Sequence, residues 1–124
     1  MVKNLEAAKR LVEKYREITM EKLKEVSDEL YAEYEDDYTY EEVLHRITGF
    51  GRMSTCILCK EINHMCEYCI HYKHQDSYDS SCPCANSETY RAFDEVDDLD
   101  GLYDAIQARA DYIASLIQME ENDN

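Results

Sequence analysis

All six cysteines of this 124-residue chain, three of its four histidines and its only proline fall between Cys56 and Cys84. The order is Cys56-x2-Cys59, six residues, Cys66-x2-Cys69, then His71, His74 and Cys82-Pro-Cys84. Two cysteines at Cys-x2-Cys spacing reach one ion from a single tight turn. Two such pairs close a tetrahedral four-sulfur site at Zn–S distances near ~2.3 Å. The spacing predicts a zinc centre with Cys56, Cys59, Cys66, Cys69, Cys82 and Cys84 as candidate ligands. Three arrangements are open. The first four cysteines hold one ion, or Cys82 and Cys84 join one Cys-x2-Cys to tie a longer loop, or two ions use all six cysteines and two of His64, His71 and His74. Four thiolates equally suit an iron–sulfur cluster. A reading without metal also exists: positions 56, 59, 66 and 69 lie along one side of a helix, where cysteine packs as a small buried residue and Ile62 completes the stripe.

The same stretch says little for catalysis. A catalytic zinc keeps one position open for water and places a carboxylate base beside it. The His-x-Glu and Pro-Cys-x2-Cys pattern of zinc deaminases is absent, as are a Gly-rich phosphate loop, Gly-x-Ser-x-Gly and His-Glu-x2-His. Thiol redox exchange at Cys-x2-Cys needs an exposed cysteine of depressed pKa, and no strand-turn-helix pattern precedes Cys56. The expectation is a closed, structural metal centre in a protein that is not an enzyme.

The elements that must position these residues are helical. From residue 3 to 34 apolar residues recur at helical spacing through Leu5, Ala8, Leu11, Val12, Tyr15, Ile18, Leu23, Val26, Leu30 and Tyr34, with no Gly or Pro between them. This predicts one long amphipathic helix. Such a helix exposes more apolar surface than the shorter ones can cover, so self-association through Leu11, Tyr15, Ile18 and Leu23 is expected. Thr39 and Glu42 form a Thr-x-x-Glu capping box that starts a short helix over 40–48, which Gly49 ends. After the cysteine-rich segment 55–84, a short helix from Thr89 to Val96 leads to a last helix capped by Asp98. Leu99, Leu102, Ile106, Ala110, Ile113, Leu116 and Ile117 mark its buried face, within C-terminal helices spanning 88–119. The fold class is mostly α: a single small domain, 1–124, in which the zinc segment pins the long first helix to the last.

The formal charge is −15, from 28 acidic and 13 basic side chains. Broad phosphate contact needs a basic patch, so direct nucleic-acid binding is disfavoured. The charge is also uneven. Asp28 to Glu42 holds eight carboxylates and no base, interleaved with Tyr31, Tyr34, Tyr38 and Tyr40. Such a run is either a solvated helix end or an imitation of a phosphate track with aromatic plates between the charges. On the second reading Tyr31, Tyr34, Glu35, Asp36, Asp37 and Tyr38 form a surface for a protein partner with a basic groove. No apolar run reaches membrane-spanning length, and the N-terminal MVKNLEAAKR lacks the apolar stretch of a signal peptide. A cytoplasmic location is therefore expected, where reduced thiols favour metal over disulfide.

Thr48-Gly49-Phe50-Gly51, Thr55-Cys56-Ile57-Leu58-Cys59, Cys66, Cys69-Ile70, Cys82, Thr89-Tyr90 and Arg109-Ala110 together resemble small cysteine-rich accessory proteins encoded by tailed phages. The likeness covers about residues 48–113. Cys84 and the acidic tyrosine-rich run stand outside it. The resemblance implies a viral accessory protein of the host cytoplasm, for which counter-defence is a natural role. Combined with the acidic run, it leads to a zinc-stabilised protein that binds and inhibits a host macromolecule by nucleic-acid mimicry. The alternatives are a sponge that holds a small molecule between helices and a thiol redox protein.

Overall fold

The computed structural model describes residues 2–51, 56–74 and 88–122. Helix α1 runs Leu5–Glu17 and buries Ala7, Ala8, Leu11, Val12 and Tyr15, the three-and-four spacing of a single apolar stripe. Ile18 then turns extended (φ −71°, ψ 128°). Thr19 caps the next helix, α2 (Met20–Tyr34), its hydroxyl accepting from the Lys22 N–H at 3.1 Å. The expected single helix over 3–34 is thus two helices. The reason lies in the pattern: the step from Ile18 to Leu23 is five residues, which throws the second stripe out of phase with the first. Two successive β-branched residues and a hydroxyl able to satisfy an orphan N–H make that step the natural place to break.

The break lets both α1 and α2 lie against the C-terminal helix, α7 (Leu99–Asn122). Leu11, Tyr15, Ile18 and Leu23, expected to mediate self-association, are 1, 2, 3 and 0 % exposed. They belong to the chain's own core, and the uncovered apolar face that motivated a dimer is covered from within. At about 1.5 Å per residue α7 spans ~36 Å and forms the axis of the molecule. It buries Leu102, Ile106, Ala110, Ile113, Leu116 and Ile117 against α1 and α2, as its periodicity predicts. Asp98 caps it, accepting from the Gly101 N–H at 2.7 Å. A Cβ at position 101 would stand 3.0 Å from that carboxylate oxygen, so glycine there lets the carboxylate approach without adjusting.

Helix α3 (Tyr40–Thr48) packs on α2. Thr39 Oγ1 accepts from the Glu42 N–H at 3.2 Å, and Gly49 ends the helix at φ +87°, both as the sequence predicts. The cysteine-rich stretch folds into short pieces instead of one striped helix: α4 (Ile57–Glu61), a 3-10 turn at Cys66–Tyr68, and α5 (Ile70–Lys73). Asn63 and His64, at φ 54° and 65°, reverse the chain between them. Helix α6 (Glu88–Ala92) and a 3-10 turn at Phe93–Glu95 lead into α7. Among the described residues there is no strand, and no helix is long and apolar enough to cross a membrane.

Candidate functional site: a buried cysteine joint and an acidic pole

Asn4 precedes α1 but does not use its side chain to cap it. The side chain, fully buried, reaches into the cysteine segment instead. Its Nδ2 donates to the Leu58 carbonyl at 3.2 Å and lies 3.3 Å from Cys69 Sγ, and its Oδ1 accepts from the Ile70 N–H at 3.0 Å. One amide therefore joins the start of α1 to both α4 and α5. The asparagine thus ties the cysteine segment to the first helix, while α1 meets the last helix, α7, by direct packing.

Cys56 and Cys69 occupy the positions just before α4 and α5 and are buried, whereas Cys59 and Cys66 are half-buried. No disulfide joins any two of these four. Burial pushes the Cys56 thiol above its ordinary 9.0; the Leu58 and Cys59 N–H groups and the Arg109 charge oppose that, and Cys69 adds to it. Among the described residues no three His, Cys, Asp or Glu side chains converge closely enough to hold a metal ion. Cys82 and Cys84 lie outside the described residues, so every arrangement that uses them reaches beyond what the structure describes.

His71 Nδ1 lies 3.7 Å from Cys69 Sγ. Cysteine, histidine and asparagine side by side are the components of a thiol nucleophile's triad, but the roles do not match. Asn4 bonds the sulfur rather than orienting the imidazole, and Cys69 and His71 are 5 and 1 % exposed, beyond the reach of a substrate. Burial, then the nearby Arg109 cation, holds the imidazole well below 6.5, so it is neutral at pH 7. Arg109 is itself buried, donating to Thr89 Oγ1 at 2.9 Å with its guanidinium near the rings of Tyr90 and Tyr112. The His71 ring tilts against Tyr112 at 5.8 Å. Two residues beyond His71, Lys73 bonds both oxygens of the buried Glu120 carboxylate. These contacts dock α5 and α6 onto α7. The joint is built to hold elements together.

The acidic run lies at the opposite extreme of exposure. Tyr31 and Tyr34, one turn apart on α2, are 54 and 51 % exposed, and Glu35, Asp36 and Asp37 beyond them are exposed too. Tyr38 is the exception. It is half-buried, its hydroxyl 2.7 Å from Ser27 Oγ, so it ties the α2–α3 turn back to α2. A second run, Asp94 to Asp100, holds five carboxylates and no base, all exposed, and comes alongside the first. The contact is made by Tyr40, whose hydroxyl donates to the Asp97 carbonyl at 3.4 Å. Its phenol is held above 10.0 by burial and by Tyr38, Asp98 and Asp97. Between the runs opens a cleft of about 490 Å³, with Asp36, Glu41 and Asp94 on its walls and Tyr38, Tyr40 and Phe93 as its aromatic lining.

Asn4, Glu120 and the second acidic run were not among the residues singled out from sequence, and Arg109 was named only as part of the resemblance. Asn4 and Glu120 lie buried, where a lone polar letter carries no signal. The second run was visible as a charge run but not as the neighbour of the first. The chain matches no family model, no curated protein and no solved structure.

Proposed function

We propose that this protein is a non-enzymatic acidic binding protein of the phage accessory kind. It engages a host macromolecule, a protein with a basic groove otherwise used for nucleic acid, and inhibits it in the host cytoplasm. The observation that carries this reading is the union of two carboxylate runs, Asp28–Glu42 and Asp94–Asp100, on either side of one aromatic-lined cleft. A solvated helix end needs no second acidic segment folded against it. Concentrating like charge opposes folding and favours a basic partner. Tyr31 and Tyr34 supply large, rigid apolar contact area, the kind of group that anchors interfaces once desolvated. Glu35, Asp36 and Asp37 supply the charge that speeds encounter and suppresses acidic competitors.

The test is quantitative capture from host lysate with the parent, a Glu35→Gln/Asp36→Asn/Asp37→Asn variant and Tyr34→Ala. The reading expects one basic partner that both variants lose and that elutes as salt rises. Equal capture by all three at low salt contradicts it.

We also propose zinc as a stabilising ion, held by thiolates drawn from Cys56, Cys59, Cys66, Cys69, Cys82 and Cys84. Its support is the paired Cys-x2-Cys spacing. The redox alternative has less behind it, because burial raises the Cys56 thiol, the reverse of what an attacking thiolate needs.

A further inference from the structure

On a chain of net charge −15, three cations meet at one cleft with no ion-pair partner among the described residues. Arg10 and Lys14 stand one turn apart on α1, and Lys60 comes from α4. With Phe50 and Ile57 they line an opening of about 470 Å³. Neighbouring cations on α1 are neutralised: Lys9 lies 3.6 Å from both Glu6 and Glu121, and Arg16 lies 3.4 Å from Asp111. Like charges gathered at one opening repel one another, and an anion seated between them reverses the sign of that contribution.

The floor differs from the rim. Phe50 is buried and stacks on Tyr15 with ring centroids 6.2 Å apart, and half-buried Ile57 continues the apolar surface. A cationic rim over an apolar floor, at a volume typical of small-molecule pockets, matches a ligand with a phosphate at one end and a flat apolar body at the other. A nucleic-acid strand does not fit the surroundings. The adjoining cleft shares Arg10 and Ile57 but carries Glu6, Glu13 and Glu61, so phosphates continuing that way meet carboxylates.

We infer that the cleft of Arg10, Lys14 and Lys60 binds a small phosphorylated ligand of the nucleoside monophosphate class. The cations hold the phosphate and the base lies toward Phe50 and Ile57. This site is separate from the acidic pole and does not depend on it.

Calorimetric titration of the full chain with AMP, inorganic phosphate and adenosine tests the inference. The parent should bind one AMP per chain saturably, phosphate and adenosine each more weakly, and AMP less tightly as salt rises. Lys14→Gln/Lys60→Gln should weaken AMP at least about ten-fold, the size expected for lost charge-assisted bonds. Lys22→Gln, which removes a cation paired with Glu25, should leave AMP binding unchanged. Absence of saturable AMP binding to millimolar concentration overturns the site, as does equal binding by the double variant. Phosphate binding as tightly as AMP overturns the role of the floor, and a duplex oligonucleotide binding there more tightly than AMP overturns the small-ligand assignment.

Discussion

Asn4 Oδ1 accepts the backbone N–H of Ile70, 66 positions along the chain, at 3.0 Å, and both groups are buried. The same side chain donates to the Leu58 carbonyl and contacts the Cys69 sulfur, so a single residue closes the cysteine segment onto the first helix. Asn4→Ala leaves those groups buried without it. Each orphaned polar group costs roughly 1–3 kcal/mol, so the variant should lose about 2–4 kcal/mol of stability in urea unfolding. A loss under about 0.5 kcal/mol would show that the joint is held by something else.

Thr19→Ala should cost ~1 kcal/mol, the usual worth of an N-cap hydroxyl. Its measurement is the urea midpoint, accompanied by sedimentation. A continuous helix over 3–34 would instead be stabilised by alanine, and the sign of the change therefore decides between one helix and two.

The fold was largely legible where local chemistry decides it. Thr39, Gly49 and Asp98 each act through neighbours within four residues, and all three do what their types suggest. The break at Ile18–Thr19 was written in the five-residue step to Leu23, but the apolar letters on either side continue so evenly that the change of phase is easily passed over. The candidate site was less legible. Five of the six acidic-surface residues are exposed as expected, while Tyr38 is tied up by Ser27, a contact that depends on how the α2–α3 turn closes. Nothing in the order of residues says that Asp97 comes to Tyr40, because long-range proximity is a property of packing.

That proximity has its own signature. Tyr40 should keep its proton above 10.0, because burial and the nearby Tyr38, Asp98 and Asp97 all disfavour the phenolate. A folded-state pKa above the unfolded one contributes stability that is complete below pH 10.0 and lost as pH rises past it. Carbon-detected NMR titration of labelled tyrosine should show Tyr40 ionising late, and Asp97→Asn/Asp98→Asn should bring it down toward 10.0. An unchanged titration in that variant would mean the two acidic runs do not meet.

Tyr38 and Tyr34 should separate stability from binding. Tyr38→Phe removes the hydroxyl contact with Ser27 and should cost about 1 kcal/mol while leaving partner capture intact. Tyr34→Ala should leave the urea midpoint within ~0.5 kcal/mol of the parent and abolish capture. The reverse pattern would move the contact surface to the α2–α3 turn.

Zinc binding has a direct stoichiometric consequence. Protein purified anaerobically should contain about one zinc per chain, and chelation or Cys59→Ser should lower the melting temperature, because binding energy at a structural site is folding energy. Metal-free protein whose melt ignores chelator would leave the cysteines as core residues alone.

The central claim is that the acidic pole occupies a groove meant for nucleic acid. It is tested most directly by competition on the captured partner, preloaded with labelled duplex DNA. Addition of the parent protein should release the DNA, and the Glu35→Gln/Asp36→Asn/Asp37→Asn variant should need at least about ten-fold more protein to do so. A ternary complex, in which partner, DNA and this protein migrate together, would contradict the claim.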